Sequence, residues 1–272
     1  MQENEPPENM ASLWDMAKNM VSYRSDGYWQ DIGADNLFYN DSNLLSVLSG
    51  FNKGSTPLTE GFKQNGSATL APADLLALQM LYADQGVDLG NVYTGDTVYG
   101  FNTNIQDGLM SMIPGFVGSL AFSIVDSGGI DTLDFSGFLA NQLIDLTVTK
   151  ATDTAPSTSN IGGDVGNMTL AVGTIIENAI DGSGNDTIIG DEFANTLAGG
   201  SGGVNELFGM AGNDLLLGGG GLSHKFLHGG DGNDILIGGN TIGHDTLIGG
   251  AGVRHPDRGS GQRPLHWRGR GD

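Results

Sequence analysis

Cysteine is absent from all 272 residues. That excludes disulfides, thiolate metal sites and cysteine nucleophiles. Basic residues are scarce: 11 Lys and Arg face 32 Asp and Glu, for a formal net charge of −21. Five of those 11 (Arg254, Arg258, Arg263, Arg268 and Arg270) fall in the last 19 positions, so the rest of the chain is more acidic still. Such a body disfavours nucleic acid and anionic membranes as partners. It also repels itself when compact, which a soluble acidic surface tolerates and bound cations relieve. Histidine is rare, and the first of the five is His224. No apolar run approaches membrane-spanning length. Met1 to Pro7 is polar and acidic and lacks the basic and apolar regions of a Sec signal peptide.

What is abundant is glycine, at 46 residues. Glycine that dense fits a linker, a collagen or a repeat solenoid, and periodicity separates these. From Asp181 a nine-residue pattern, G-G-x-G-x-D-x-U-x with U large and apolar, recurs seven times. The first copy is DGSGNDTII (Asp181–Ile189) and the second GDEFANTLA (Gly190–Ala198); the fourth is GMAGNDLLL (Gly209–Leu217) and the sixth GGDGNDILI (Gly229–Ile237). The third, fifth and seventh copies, starting at Gly199, Gly218 and Gly238, carry one or two extra residues. Position U is always apolar: Ile188, Leu197, Leu207, Leu216, Leu227, Leu236 and Leu247. A flexible linker has no reason to keep a buried position. The pattern therefore predicts a mainly β fold, a parallel β-roll solenoid. Six residues of each repeat turn, three form a short strand, two repeats complete one coil, and the U side chains stack inside.

In that geometry glycines allow turn conformations closed to other residues and let carbonyls converge. The aspartate adds charge to the oxygens. Such a donor set suits calcium, a hard cation that takes six to eight oxygens; zinc or copper prefers nitrogen or sulfur. Several calcium ions are expected, with folding coupled to their binding, since stacked aspartates otherwise repel. Successive repeats alternate between two faces. One face offers Asn195, Asp214 and Asp234; the other offers Asp186, Asn205, Lys225 and Asp245 and collects every insertion. The first face is expected to be the better calcium ladder.

Three upstream segments, TGDTVYGFNTN (Thr94–Asn104), FSIVDSGGIDTLDFSGF (Phe122–Phe138) and IIENAIDGSGNDTIIG (Ile175–Gly190), together with the repeats resemble the C-terminal region of serralysin-type (M10) metalloproteases with RTX calcium-binding repeats. The resemblance implies two calcium sites ahead of the repeats. One uses Tyr93, Gly95, Thr97, Asp126, Gly128 and Asp131, and the other Gly129, Asp131, Ile175 and Glu177. The family usually has arginine at the position of Tyr93 and threonine at that of Ile175; carbonyl ligation survives both changes and side-chain ligation does not. Within the repeats it implies ligands at the second, fourth and sixth positions. These are Gly182, Gly184 and Asp186; Asp191, Phe193 and Asn195; Met210, Gly212 and Asp214; and Gly230, Gly232 and Asp234. It also implies an extracellular protein handled by type I secretion machinery.

The organisation expected is a small α+β remnant over 1–90, a β-rich lead-in over 91–180, the calcium-binding roll over 181–252, and a basic tail over 253–272. The remnant resembles the end of a metzincin catalytic domain. LAPADLLALQMLY (Leu70–Tyr82) has the apolar stripe of a helix, and Ala11 to Tyr23 is a second candidate. SVLSGF (Ser46–Phe51) sits where the family has its Met-turn, with Leu48 and Gly50 in place of methionine and tyrosine. A metzincin also needs H-E-x-x-H-x-x-G-x-x-H, and no such segment precedes Ser46. No G-x-S-x-G elbow stands between a strand and a helix either. The expectation is a non-enzymatic calcium-binding module without zinc. The alternatives are a zinc endopeptidase whose catalytic helix is missing from this chain, and an adhesive or carbohydrate-active protein carrying a roll. The tail, VRHPDRGSGQRPLHWRGRGD, has no repeat logic; it reads as disordered or out of frame, without an evident secretion signal.

Overall fold

A computed structural model describes residues 66–67, 92–118, 120–150, 157–239, 245–251 and 255–257. The two helices and the Met-turn-like segment expected before residue 90 lie outside the described residues. The strands in chain order are β1 (Gly66–Ser67), β2 (Val98–Gly100), β3 (Leu120–Ile124), β4 (Thr132–Asp134) and β5 (Leu143–Asp145). Then come β6 (Met168–Leu170), β7 (Asn178–Ile180), β8 (Thr187–Ile189), β9 (Thr196–Ala198) and β10 (Asn205–Phe208). The last are β11 (Leu215–Leu217), β12 (Lys225–His228), β13 (Ile235–Ile237), β14 (Thr246–Ile248) and β15 (His255–Asp257).

All named strand pairs are parallel, and alternate repeats pair as the nine-residue rhythm requires. One sheet has seven strands in the order β15-β13-β11-β9-β7-β4-β2, the facing set five in the order β14-β12-β10-β8-β5. The fold is mainly β and has the form of a β-roll. All three repeats with insertions contribute to the five-stranded sheet. The seven-stranded sheet runs on to His255–Asp257, which pairs with Ile235–Ile237 inside the segment read as tail. A third sheet, β1-β3-β6, accompanies the first coils.

In the repeats, strands of three residues bury only their middle side chain, because successive side chains point to opposite faces. In the seven-stranded sheet the buried column is Tyr99, Leu133, Ala179, Leu197, Leu216 and Leu236; in the five-stranded sheet it is Ile144, Ile188, Leu207, Leu227 and Leu247. All seven U residues are thus in the core. The lead-in is the roll's first coils: β2, β4 and β7 continue one ladder and β5 the other. At this end the core thickens. Phe122, Ile124, Phe135, Ile161 and Met168 join the same cluster, with Phe116 edge-on to Phe122 at 5.4 Å between ring centres.

Candidate metal centre

Each strand of the repeats is preceded by the sixth residue of its repeat or, in β10 and β12, begins with it, and these residues stack from coil to coil. The Asn195 backbone N–H donates to Asp214 Oδ1 at 2.8 Å, and the Asp214 N–H to Asp234 Oδ1 at 3.1 Å. On the other face the Gln142 N–H donates to Asp186 Oδ1 at 2.8 Å, and the Lys225 N–H to Asp245 Oδ1 at 3.0 Å. Each carboxylate therefore spends one oxygen holding the previous coil. The second oxygens of Asp186 and Asp214 are buried and accept no hydrogen bond. Glycine at the first repeat position makes room for that of Asp214: a Cβ on Gly209 would overlap Asp214 Oδ2.

The carbonyls of the second and fourth positions form columns beside these carboxylates. The Ala211 N–H donates to the Asp191 carbonyl, the Asp231 N–H to that of Met210 and the Ala251 N–H to that of Gly230, at 2.8–3.1 Å. The fourth-position carbonyls stack likewise. A Cβ on Gly212 would overlap the Phe193 oxygen and one on Gly232 the Gly212 oxygen, and both glycines have positive φ (114° and 141°). Met210 takes the left-handed region too, at φ 74°, with its side chain half exposed. Phe193 is exposed likewise, so at both positions the backbone oxygen, not the side chain, belongs to the column. Asp191 closes its own loop: its Oδ1 accepts from the Phe193 N–H at 2.8 Å and from Asn195 Nδ2 at 3.2 Å.

The same ladder extends into the lead-in. The Thr97 N–H donates to Asp131 Oδ1 at 2.7 Å, and the Asp131 N–H to Glu177 Oε2 at 2.8 Å. Asp131 Oδ2 is buried and without a hydrogen bond. Burial pushes the Asp131 carboxyl up to about 7; the Thr97 N–H opposes this, and the charges of Asp126 and Glu177 add to it. Thr97 Oγ1 donates to the Gly95 carbonyl at 2.7 Å, and the Gly95 oxygen lies so near Gly129 that a Cβ there would stand 2.7 Å from it. Asp126 accepts the Gly128 N–H at 2.9 Å and the Tyr99 hydroxyl at 2.8 Å. Burial and that carboxylate hold the Tyr99 phenol protonated. Tyr93, at φ 50°, sets its ring edge-on to Tyr99 at 5.7 Å and lines a cleft of about 450 Å³ with Gly95, Asp96 and Thr97. The Ile175 side chain is exposed.

Two features were not singled out from sequence. Asp181 occupies the first position of its repeat, where glycine is the rule, and is fully buried beside Asp186. It accepts Gln142 Nε2 at 2.6 Å, leaves Oδ2 without a hydrogen bond, and is pushed up to about 8 by burial and by Asp186. The departure from glycine was the available signal. The second feature is Lys225, whose side chain is completely buried and whose Nζ donates to the carbonyls of Gly202 at 2.6 Å and Gly203 at 2.8 Å. Burial pulls this ammonium below its ordinary value, while Asp245 and Asp186 hold it up. His228 stacks on Phe208 at 4.7 Å, with Nε2 3.7 Å from Glu206 Oε1. His244 lies outside the described residues.

Among the described residues no three His, Cys, Asp or Glu side chains are grouped to hold a metal by themselves. Carboxylates enter one or two per coil, and backbone carbonyls supply the remaining oxygen. That set is uniformly hard: it fits calcium and offers nothing to a metal seeking nitrogen or sulfur. No helix among the described residues is long and apolar enough to cross a membrane.

Residues 90–255 match the family described as Peptidase M10 serralysin C terminal. The metalloprotease AprA of Pseudomonas entomophila (strain L48) is 39% identical over 176 residues, 65% of this chain and 32% of the relative. The serralysin of Photorhabdus luminescens is 38% identical over 160 residues, 59% of this chain and 30% of the relative. Serralysin G of Dickeya chrysanthemi is 37% identical over 163 residues, 60% and 31% respectively. The chain thus spans about a third of the length of these relatives, and the matched part coincides with the roll and its first coils. With those coils, the repeat ladder and this match in agreement, the chain belongs to the serralysin C-terminal family of M10 peptidases.

Proposed function

We propose that this chain is a calcium-binding module whose roll folds as the ions bind, and that it carries no zinc protease site of its own. The observation that carries the reading is the set of buried carboxylate oxygens at Asp131, Asp181, Asp186 and Asp214 that accept no hydrogen bond. A buried, unpaired acceptor on a charged group is costly, and a cation is the partner that removes the cost. The face of Asn195, Asp214 and Asp234 would hold calcium through Asp191, Phe193 and Asn195, through Met210, Gly212 and Asp214, and through Gly230, Gly232 and Asp234. The other face would use Gly182, Gly184, Asp186 and Asp245. The lead-in would use Tyr93, Gly95, Thr97, Asp126, Gly128, Gly129, Asp131 and Glu177, with Ile175 limited to its carbonyl. Calcium supplies the positive charge these oxygens lack; the chain supplies their spacing.

Coupling follows from the same arrangement. The core is one apolar side chain per strand, and the acidic coils repel until the ions bind. Such a protein stays unfolded where calcium is scarce and folds where it is abundant. That suits export through type I secretion machinery followed by folding outside the cell. The decisive measurement is far-UV circular dichroism in calcium-stripped buffer and again with millimolar calcium. Strand signal should appear with calcium; an unchanged spectrum would sink the coupled-folding reading.

A second reading, a zinc endopeptidase, is favoured by the relatives, which include a metalloprotease and a serralysin. It requires catalytic residues outside these 272, where the first histidine is His224. Zinc content and casein cleavage by this chain separate the two: one tightly held zinc with proteolysis would establish the second.

A further inference from the structure

We infer that the Lys225 ammonium is a built-in cation that fills one rung of the calcium ladder, between the third and fifth repeats, in place of a metal ion. The inference rests on the calcium reading above and deepens it. Lys225 stands at the sixth repeat position, where the pattern calls for aspartate. Aspartate at that position leaves a negative oxygen in the turn; lysine places a positive charge there. Its side chain does not escape to solvent, as long lysines ordinarily do, but is fully buried. Its Nζ turns back onto the preceding coil of the same face and donates to the Gly202 and Gly203 carbonyls at 2.6 and 2.8 Å.

Gly202 is the fourth residue of the third repeat, the position whose carbonyl is expected to meet calcium in the other copies. The ammonium thus takes oxygens that a hard cation would use. The charges along this face fit the substitution. Asn205, one coil below Lys225, brings no charge, so an ion at this rung would find no carboxylate at the sixth position of either repeat. Asp186 and Asp245 lie two coils below and one above, and both feel the ammonium's charge. An unpaired buried ammonium would cost several kcal/mol; here carbonyl dipoles and flanking carboxylates offset that cost. A tethered cation does not dissociate, so this rung stays closed at any calcium concentration while its neighbours depend on the ion.

The test is calcium stoichiometry by isothermal titration on the full chain and on Lys225→Asp, with Lys225→Met as a neutral variant of similar length. Lys225→Asp should bind one more calcium per chain than the unaltered protein. Lys225→Met should bind no extra ion, and in saturating calcium it should lose amide-exchange protection at least tenfold over 205–208 and 225–228. An unchanged stoichiometry in a Lys225→Asp protein that folds with calcium would overturn the assignment. If that variant does not fold, undiminished protection of both strands in Lys225→Met overturns it instead. An unaltered chain that takes up no calcium fails the calcium reading itself, an outcome distinct from either.

Discussion

Asp214 shows how much one side chain does in this fold. Its Oδ1 ties the Asn195 backbone, and its Oδ2 is buried without a hydrogen bond. Burial, with the charges of Asp234 and Asp191, pushes its carboxyl from the ordinary 3.8 up to about 7, against the Asn195 N–H. Asp131 is pushed up to about 7 as well. In the calcium-free fold these groups hold protons that the unfolded chain releases above 3.8. Stability of the calcium-free form therefore falls as pH rises from about 4 through about 7, where the native carboxyls finally ionise. Residual strand signal in calcium-stripped buffer should therefore be greater at pH 5 than at pH 8, read by far-UV circular dichroism. Calcium affinity should change the opposite way, rising with pH as the protons leave. Asp214→Asn keeps the oxygen that holds Asn195 and deletes the charge. It should weaken calcium binding by about tenfold or more, and Asp245→Asn on the other face by less, both read by titration. Asp214 as a candidate ligand was readable from the repeat. Its spare oxygen was not, because that depends on the Asn195 N–H of the neighbouring coil.

At the scale of strand and turn, each element is too short to be stable alone, and its worth comes from stacking. Leu216 is the single buried residue of its strand and touches the matching leucines of the strands on either side through Leu197 and Leu236. Leu216→Ala should destabilise the calcium-saturated protein by about 2–5 kcal/mol, measured by denaturant unfolding, since two stiff neighbouring coils hold the cavity open. Gly232→Ala should cost about 1–3 kcal/mol from backbone strain alone, and more from the overlap with the Gly212 carbonyl. The repeat strands were legible because a turn of six and a strand of three recur without a gap. The earlier coils were legible only as a β-rich stretch, not as rungs of the same ladders. Thr-Leu-Asp (132–134), Leu-Ile-Asp (143–145) and Asn-Ala-Ile (178–180) carry the same buried middle residue, but long excursions, one holding the third sheet's β6, interrupt the rhythm.

For the whole molecule the governing quantity is the net charge of −21 on a core that, along the repeats, is one apolar side chain per strand. In the proposed reading, each calcium bound would remove two negative charges from that balance and join two coils. Size-exclusion chromatography should show a smaller hydrodynamic radius with calcium than without. Added monovalent salt should compact the chain less than calcium does, because it screens charge without satisfying buried oxygens.

The amino-acid sequence by itself determined the parallel roll, the seven inward residues, the alternation of faces and the crowding of insertions on one of them. Those follow from a short period and local chemistry, which need no knowledge of distant contacts. Only the tertiary structure decided the rest. It joined Thr97, Asp131 and Glu177 into the same ladder as the repeats, across separations of 34 and 46 residues. It left particular carboxylate oxygens without hydrogen bonds, and it laid the Lys225 ammonium on Gly202 and Gly203, 23 and 22 residues away. The physical reason is the same in each case: in a solenoid a residue's partner lies one coil away in space, and the length of chain making that coil varies.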